Sequence, residues 1–265
     1  CGTTAAYNVF LGYQAGKCNT TGDCNIFFGS QAGGNSTVTG NENIAIGRLS
    51  GSLLTSGTKN IFLGRYAGCG ATDCSTNVFV GDQAGRCSDG ACNIYLGLEA
   101  GKGSSTISNN TGGDNIAIGC QAAIAMTSGT QNIVLGKGAA GSGVLTGDDN
   151  IFLGTSAGKS VTSGEANVHI GVEAGCSAAA SHNRNVHIGA CAGKNATTTN
   201  DNVVIGAYIY GSSSGFTGNY NVLIGRATGC CLTSGAQNVF LGMGSGKKTT
   251  TGARNIAFGG SDALG

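Results

Sequence analysis

Two apolar residues flank one variable residue, with Asn before them and Gly after them, in fifteen successive copies running from Asn8-Val9-Phe10-Leu11-Gly12 to Asn255-Ile256-Ala257-Phe258-Gly259. With the Asn as position zero, position one is Val or Ile, position three is Leu, Ile, Val or Phe, and position four is Gly throughout. Residues two apart share one face of an extended chain, and the β-branched bias suits a pleated surface, so each copy predicts a short strand closed by its Gly. The interval between copies is 16–22 residues, most often 17. A fixed period of that size identifies the stacked coils of a solenoid, in which each unit buries its apolar residues only against its neighbours.

The positions between strands carry turn chemistry. Two free residues after the position-four Gly comes Ala-Gly in most copies, as in Ala15-Gly16, Ala32-Gly33 and Ala67-Gly68. Four residues before every Asn stands Ser, Thr or Asp, usually followed by Gly. A short polar side chain bonds the local backbone and the next Gly supplies positive φ, so this pair predicts a tight turn. The three glycine columns hold 37 of the 50 glycines, which excludes a flexible Gly-rich linker. The expected architecture is all-β: a parallel β-solenoid (β-roll or β-helix) of about fifteen coils of ~17 residues, with a strand, a tight turn, a less regular second strand or arc and another turn in each. Residues 1–265 read as one continuous array without separate caps, and fifteen coils spaced about 4.8 Å apart make a rod of roughly 70 Å. Proline is absent, as a ladder of backbone hydrogen bonds between coils requires.

Three columns hold the candidate functional residues. The invariant one comprises Asn8, Asn25, Asn43, Asn60, Asn77, Asn93, Asn115, Asn132, Asn150, Asn167, Asn185, Asn202, Asn221, Asn238 and Asn255. It reads as a structural ladder in which each side chain bonds the next along the stack. Position two is aromatic in many copies, with Phe10, Phe27, Phe62, Phe79, Tyr95, Phe152 and Phe240, and it points opposite to positions one and three. Both faces of the strand are therefore apolar, where a solvated rod should show one polar face. The position-two stripe is the expected subunit interface, the other reading being that it packs beneath the rest of its own coil. The third set is His169 and His187, adjacent in that same column, a weak candidate for metal binding beside the plainer reading that they simply occupy an aromatic column.

Composition narrows the function. Charged residues make up 10% of the chain and the net charge is +1, so there is no basic patch for nucleic acid and no polybasic membrane segment. No apolar run approaches a membrane span, so no membrane insertion is expected. Carboxylates are scattered through turns, no Ser-His-Asp spacing or phosphate loop stands out, and neither enzyme activity nor a cofactor is expected. The Ser and Thr four residues before each Asn lie in turns, not in the paired ranks on a strand that an ice-binding surface requires. Twelve cysteines read as disulfides of an oxidising compartment, with Cys18–Cys24, Cys69–Cys74, Cys87–Cys92 and Cys176–Cys191 as candidate pairs and Cys1 as a candidate link between subunits. Glycosylation sequons at Asn19, Asn35, Asn109 and Asn195 fit a secreted protein. The chain begins at Cys1 without Met, which reads as a processed product or a piece of a longer chain, and its first and last coils are uncapped. The longest insertion, Gly101–Asp114, is the place to look for a contact loop.

The run Asn8-Val9-Phe10-Leu11-Gly12-Tyr13-Gln14-Ala15-Gly16 resembles the repeats in the shafts of phage and large-virus tail fibres. More distantly, it is similar to the head repeats of trimeric autotransporter adhesins. The resemblance covers the whole chain and implies an elongated, self-associating β-solenoid on a virion or cell surface. The expected function is thus a non-catalytic extracellular structural protein, assembled into a fibre by end-to-end stacking, lateral packing or both. The alternative is the shaft of an adhesin or tail fibre, trimeric and directed at a surface glycan or receptor.

Overall fold

A computed structural model of the chain describes residues 4–106, 109–176, 182–209 and 215–260. The chain divides into two compact units, Cys1–Asn132 and Ile133–Gly265. The first holds β1 (Val9–Leu11), β2 (Ile26–Phe28), β3 (Ile44–Ile46), β4 (Ile61–Leu63), β5 (Val78–Val80), β6 (Ile94–Leu96) and β7 (Ile116–Ile118). The second holds β8 (Ile133–Leu135), β9 (Ile151–Leu153), β10 (Val168–Ile170), β11 (Val186–Ile188), β12 (Val203–Ile205), β13 (Val222–Ile224), β14 (Val239–Leu241) and β15 (Ile256–Phe258). Each strand covers positions one to three of one repeat. Within each unit consecutive strands pair in parallel, and like positions face like: Phe62 lies opposite Phe79 and Phe79 opposite Tyr95, as His169 lies opposite His187. The molecule is a parallel β-solenoid, and every coil contributes one three-residue strand. Among the described residues the second arc adds no further strands: its turns are joined coil to coil by backbone hydrogen bonds, such as Thr55 N–H to the Thr72 carbonyl at 2.9 Å and Thr146 N–H to the Thr162 carbonyl at 2.8 Å, with single bridges such as Asn19 to Val38 and Ala196 to Phe216.

The corners explain the repeat. In the coil of β5, Thr76 (φ 60) and Gln83 (φ 58) are left-handed non-glycine residues, and Gly81 (φ 139) and Gly85 (φ 55) complete the bends. Thr76 immediately precedes the Asn, and Gln83 is the second residue after the position-four Gly. The same two places are left-handed in nearly every described coil. The Gly that stands three residues before the Asn in eleven copies does not have positive φ, contrary to the turn chemistry expected of it. It is small because coils stack through it: a Cβ on Gly22 would stand 2.5 Å from the carbonyl oxygen of Gly40 in the next coil.

The core is a single file of side chains inside the coil. Position two supplies Phe27, Phe62, Phe79, Phe152 and Phe240, all buried. The Ala before the second Gly and apolar residues of the second arc, such as Leu54, Val161 and Leu232, line the opposite wall. Rings of neighbouring coils stack flat, Phe62 on Phe79 at 5.1 Å and Phe79 on Tyr95 at 4.8 Å between centroids. The strand spacing itself delivers this separation, about 4.8 Å.

Candidate functional site

Positions one and three point out of the coil. In every strand from β2 to β15 the middle residue is buried and its two neighbours are half-buried or exposed. The outer face of the sheet is therefore two adjacent columns of Val, Ile, Leu and Phe, with Phe28 50% and Ile118 38% exposed. This reverses the expectation for the position-two aromatics. Phe27, Phe62, Phe79, Tyr95, Phe152 and Phe240 are core residues and cannot form a subunit interface, while Phe10 is part-exposed because β1 has a neighbour on one side only. The physical reason lies outside the strand. Gly68 is φ +55 and its missing side chain leaves room for the Phe62 ring, which a Cβ there would meet at 2.7 Å. The coil folds over position two and leaves positions one and three uncovered.

The asparagine column is fully engaged. Asn43 donates through Nδ2 to Asn25 Oδ1 at 3.1 Å and to the Gly57 carbonyl at 2.9 Å. Its Oδ1 accepts from the backbone N–H and the Nδ2 of Asn60, both at 3.0 Å. Asn185 repeats the pattern in the second unit, donating to Asn167 Oδ1 and the Thr199 carbonyl and accepting from Asn202. Each side chain thus closes its own coil and joins it to both neighbours. From Asn25 to Asn238 the column is buried, which makes it structural.

His169 and His187 are completely buried in the position-two column. Their rings stack at 4.8 Å with an interplanar angle of 12°, Phe152 covers the other side of His169 at 5.0 Å, and the His182 ring lies 5.2 Å from His169. Parallel rings carry their lone pairs side by side, so the pair does not converge on one ion, and among the described residues no group of three or more His, Cys, Asp or Glu is placed to hold a metal. Burial, and then the neighbouring imidazoles, hold His169 well below the usual histidine range, and burial followed by His182 brings His187 down to about 3.

One cluster was not visible in the repeat. Arg48, Arg65 and Arg86, from three consecutive coils, place their guanidinium carbons 5.4, 5.5 and 5.4 Å from the centre of the Tyr66 ring. Arg65 also pairs with Asp82 at 2.7 Å, and Arg86 donates to Gln83 Oε1 at 3.1 Å. Arg48 and Arg65 are 17 residues apart, which is one coil, and that spacing was the available signal.

No protein-family model, curated protein or solved structure matches the chain.

The cysteines do not form the expected pairs. No disulfide joins Cys18, Cys24, Cys69, Cys74, Cys87, Cys92, Cys176 or Cys191, nor Cys120, Cys230 or Cys231, and Cys1 lies outside the described residues. In a coil, nearness in space follows the 17-residue pitch: Thr76 Oγ1 lies 3.0 Å from Cys92 Sγ and Ser52 Oγ lies 3.3 Å from Cys69 Sγ. Cys18 lies on the second arc, where its carbonyl accepts from the Val38 N–H at 3.1 Å, and Cys24 occupies the left-handed corner just before Asn25. Cys74 takes the place of the stacking Gly, and burial, then the nearby Asp89, push its thiol up to about 12. Of the sequons, Asn35 and Asn109 are exposed and Asn195 is half-buried, but Asn19 is buried and its Nδ2 donates to the Gly22 carbonyl at 2.9 Å, which closes it to modification in the folded chain.

Proposed function

We propose that this chain is a non-catalytic structural protein of an extracellular fibre, in which copies pack side by side through the outer face of the sheet. The observation that carries this reading is the pair of uncovered apolar columns at positions one and three. Their side chains, from Phe28 at 50% exposed to the half-buried Leu63 and Val80, form a continuous apolar surface from strand to strand, and apolar surface of that kind marks an interface. The partner is another copy because of pitch. Side chains ranked every 4.8 Å or so along seven or eight strands mesh with a surface of the same rank spacing. A net charge of +1 opposes no such contact. Three copies, as the resemblance to trimeric adhesin repeats implies, would each bury their stripe against the others. The extracellular place is supported by that resemblance and by the open sequons at Asn35 and Asn109, and no longer by paired cysteines.

The test replaces Leu63 and Val80, position three of β4 and β5, with Lys. Negative-stain electron microscopy of the native protein should show associated particles, and L63K/V80K should disperse them into single chains with an unchanged far-ultraviolet spectrum. Native protein that is already dispersed would refute the proposal. A second reading, a shaft that also grips an acidic surface glycan, is favoured by the three guanidiniums around Tyr66. Binding of a sulfated glycan that falls at least ten-fold in R48S/R86S would support it, and no binding by the native protein would dismiss it.

A further inference from the structure

We propose that the His169–His187 stack makes the second unit acid-sensitive: closed while both imidazoles are neutral, and opened locally when they take up protons. The position-two column holds Phe152 in β9 and Phe240 in β14, side chains that need no polar partner, yet β10 and β11 between them carry imidazoles. Both rings are fully buried, and none of the four ring nitrogens of His169 and His187 has a hydrogen-bond partner. The backbones of Gly175 and Gly193 press on the Nδ1–Cε1 edges so closely that a Cβ at either would collide with the ring. A buried polar group without a partner is costly, so the column bears imidazole where phenyl would pack without loss.

The groups facing the pair supply no compensating charge. From β9 comes Phe152, from β12 comes Val204 opposite His187, and from the second arc comes His182. No carboxylate among the described residues bears on either imidazole, and the titratable neighbours that do are imidazoles, which repel a proton on His169 or His187. Free histidine takes up a proton near pH 6.5 and the buried pair does not, so stability is full above that pH and falls below it until the folded groups themselves titrate, at about 3 for His187. Each imidazole raises the opening equilibrium about ten-fold per pH unit in that window, hence roughly a hundred-fold each between pH 6.5 and 4.5.

Hydrogen exchange of the intact chain, read peptide by peptide at pH 7.5 and 4.5 and corrected for the intrinsic exchange rate, tests this. Peptides spanning β9 to β12 should lose at least a hundred-fold protection at the lower pH, while peptides of β4 and β5, whose column holds Phe62 and Phe79, keep theirs. H169F/H187F should abolish the loss. Equal loss in both units, no loss in either, or an unchanged loss in the double variant would overturn the proposal. If the double variant does not fold, localisation of the loss in the native chain decides alone.

Discussion

At Gly81 the backbone runs at φ 139, a region closed to residues with a side chain, and a Cβ there would collide with the carbonyl of Gly97 in the next coil. Both penalties act together, so Gly81→Ala should cost about 3 kcal/mol or more of unfolding free energy. Gly138 is the informative contrast. Its φ is 61, its added Cβ meets nothing nearer than Ser156 Oγ at 4.0 Å, and the equivalent place in other coils holds Gln83 or Gln121. Gly138→Asn should therefore cost under about 1 kcal/mol, and equal costs for the two changes, measured by chemical denaturation, would contradict the assignment of these corners. Within the ladder, Asn77 Oδ1 accepts from the Asn93 backbone N–H at 2.8 Å and its Nδ2 donates to Asn60 Oδ1 at 3.2 Å. Asn77→Ala leaves a buried N–H without a partner and should lower stability by about 2 kcal/mol. Thiol labelling reads the cysteines: exposed Cys24, Cys92 and Cys231 should react with a maleimide within minutes at neutral pH, while buried Cys74, its thiol held at about 12, reacts only after unfolding.

At the scale of the strand, existence was legible and orientation was not. The repeat at 17 residues, the β-branched position one and the closing Gly located every strand, because hydrogen-bond demand and backbone geometry write themselves into the chain at fixed places. Ile61-Phe62-Leu63 contains no polar residue, so alternation alone cannot tell which side faces in. The deciding fact is the absent side chain of Gly68, eight residues after Asn60, and its meaning emerges only once the coil is closed. Cysteine pairing failed for a related reason. Cys18–Cys24, Cys69–Cys74 and Cys87–Cys92 are near along the chain, whereas in a coil the neighbour of a side chain typically lies 16–18 residues away, as the hydrogen bonds of Thr76 with Cys92 and of Ser52 with Cys69 show; Cys176 and Cys191 lie in adjacent coils, yet no disulfide joins them. The histidine stack was legible as two members of the position-two column and not as buried ones, so the weak metal reading falls away and the proposed proton sensing depends on a burial that only the closed coil reveals.

For the whole molecule, each unit solves the core problem internally, with stacked rings and an asparagine ladder, and leaves its outer sheet face unsolved. The stripe is regular because the strands are regular: whatever covers it must match a rank of side chains every 4.8 Å or so. An interface core is depleted of charge and its rim is polar. The stripe has that anatomy, since ion pairs such as Arg65–Asp82 and Arg184–Asp201 sit just outside positions three and one and run from coil to coil. These pairs are solvent-exposed, so they contribute little to stability; in the proposed assembly they would set register between copies. Sedimentation equilibrium of the native protein at micromolar concentration measures its assembled mass directly. The packed outer face requires a whole multiple of the single-chain mass, returning to one chain in L63K/V80K; a native protein that sediments as one chain across the concentration range would show that the stripe faces water and that the fibre reading is wrong.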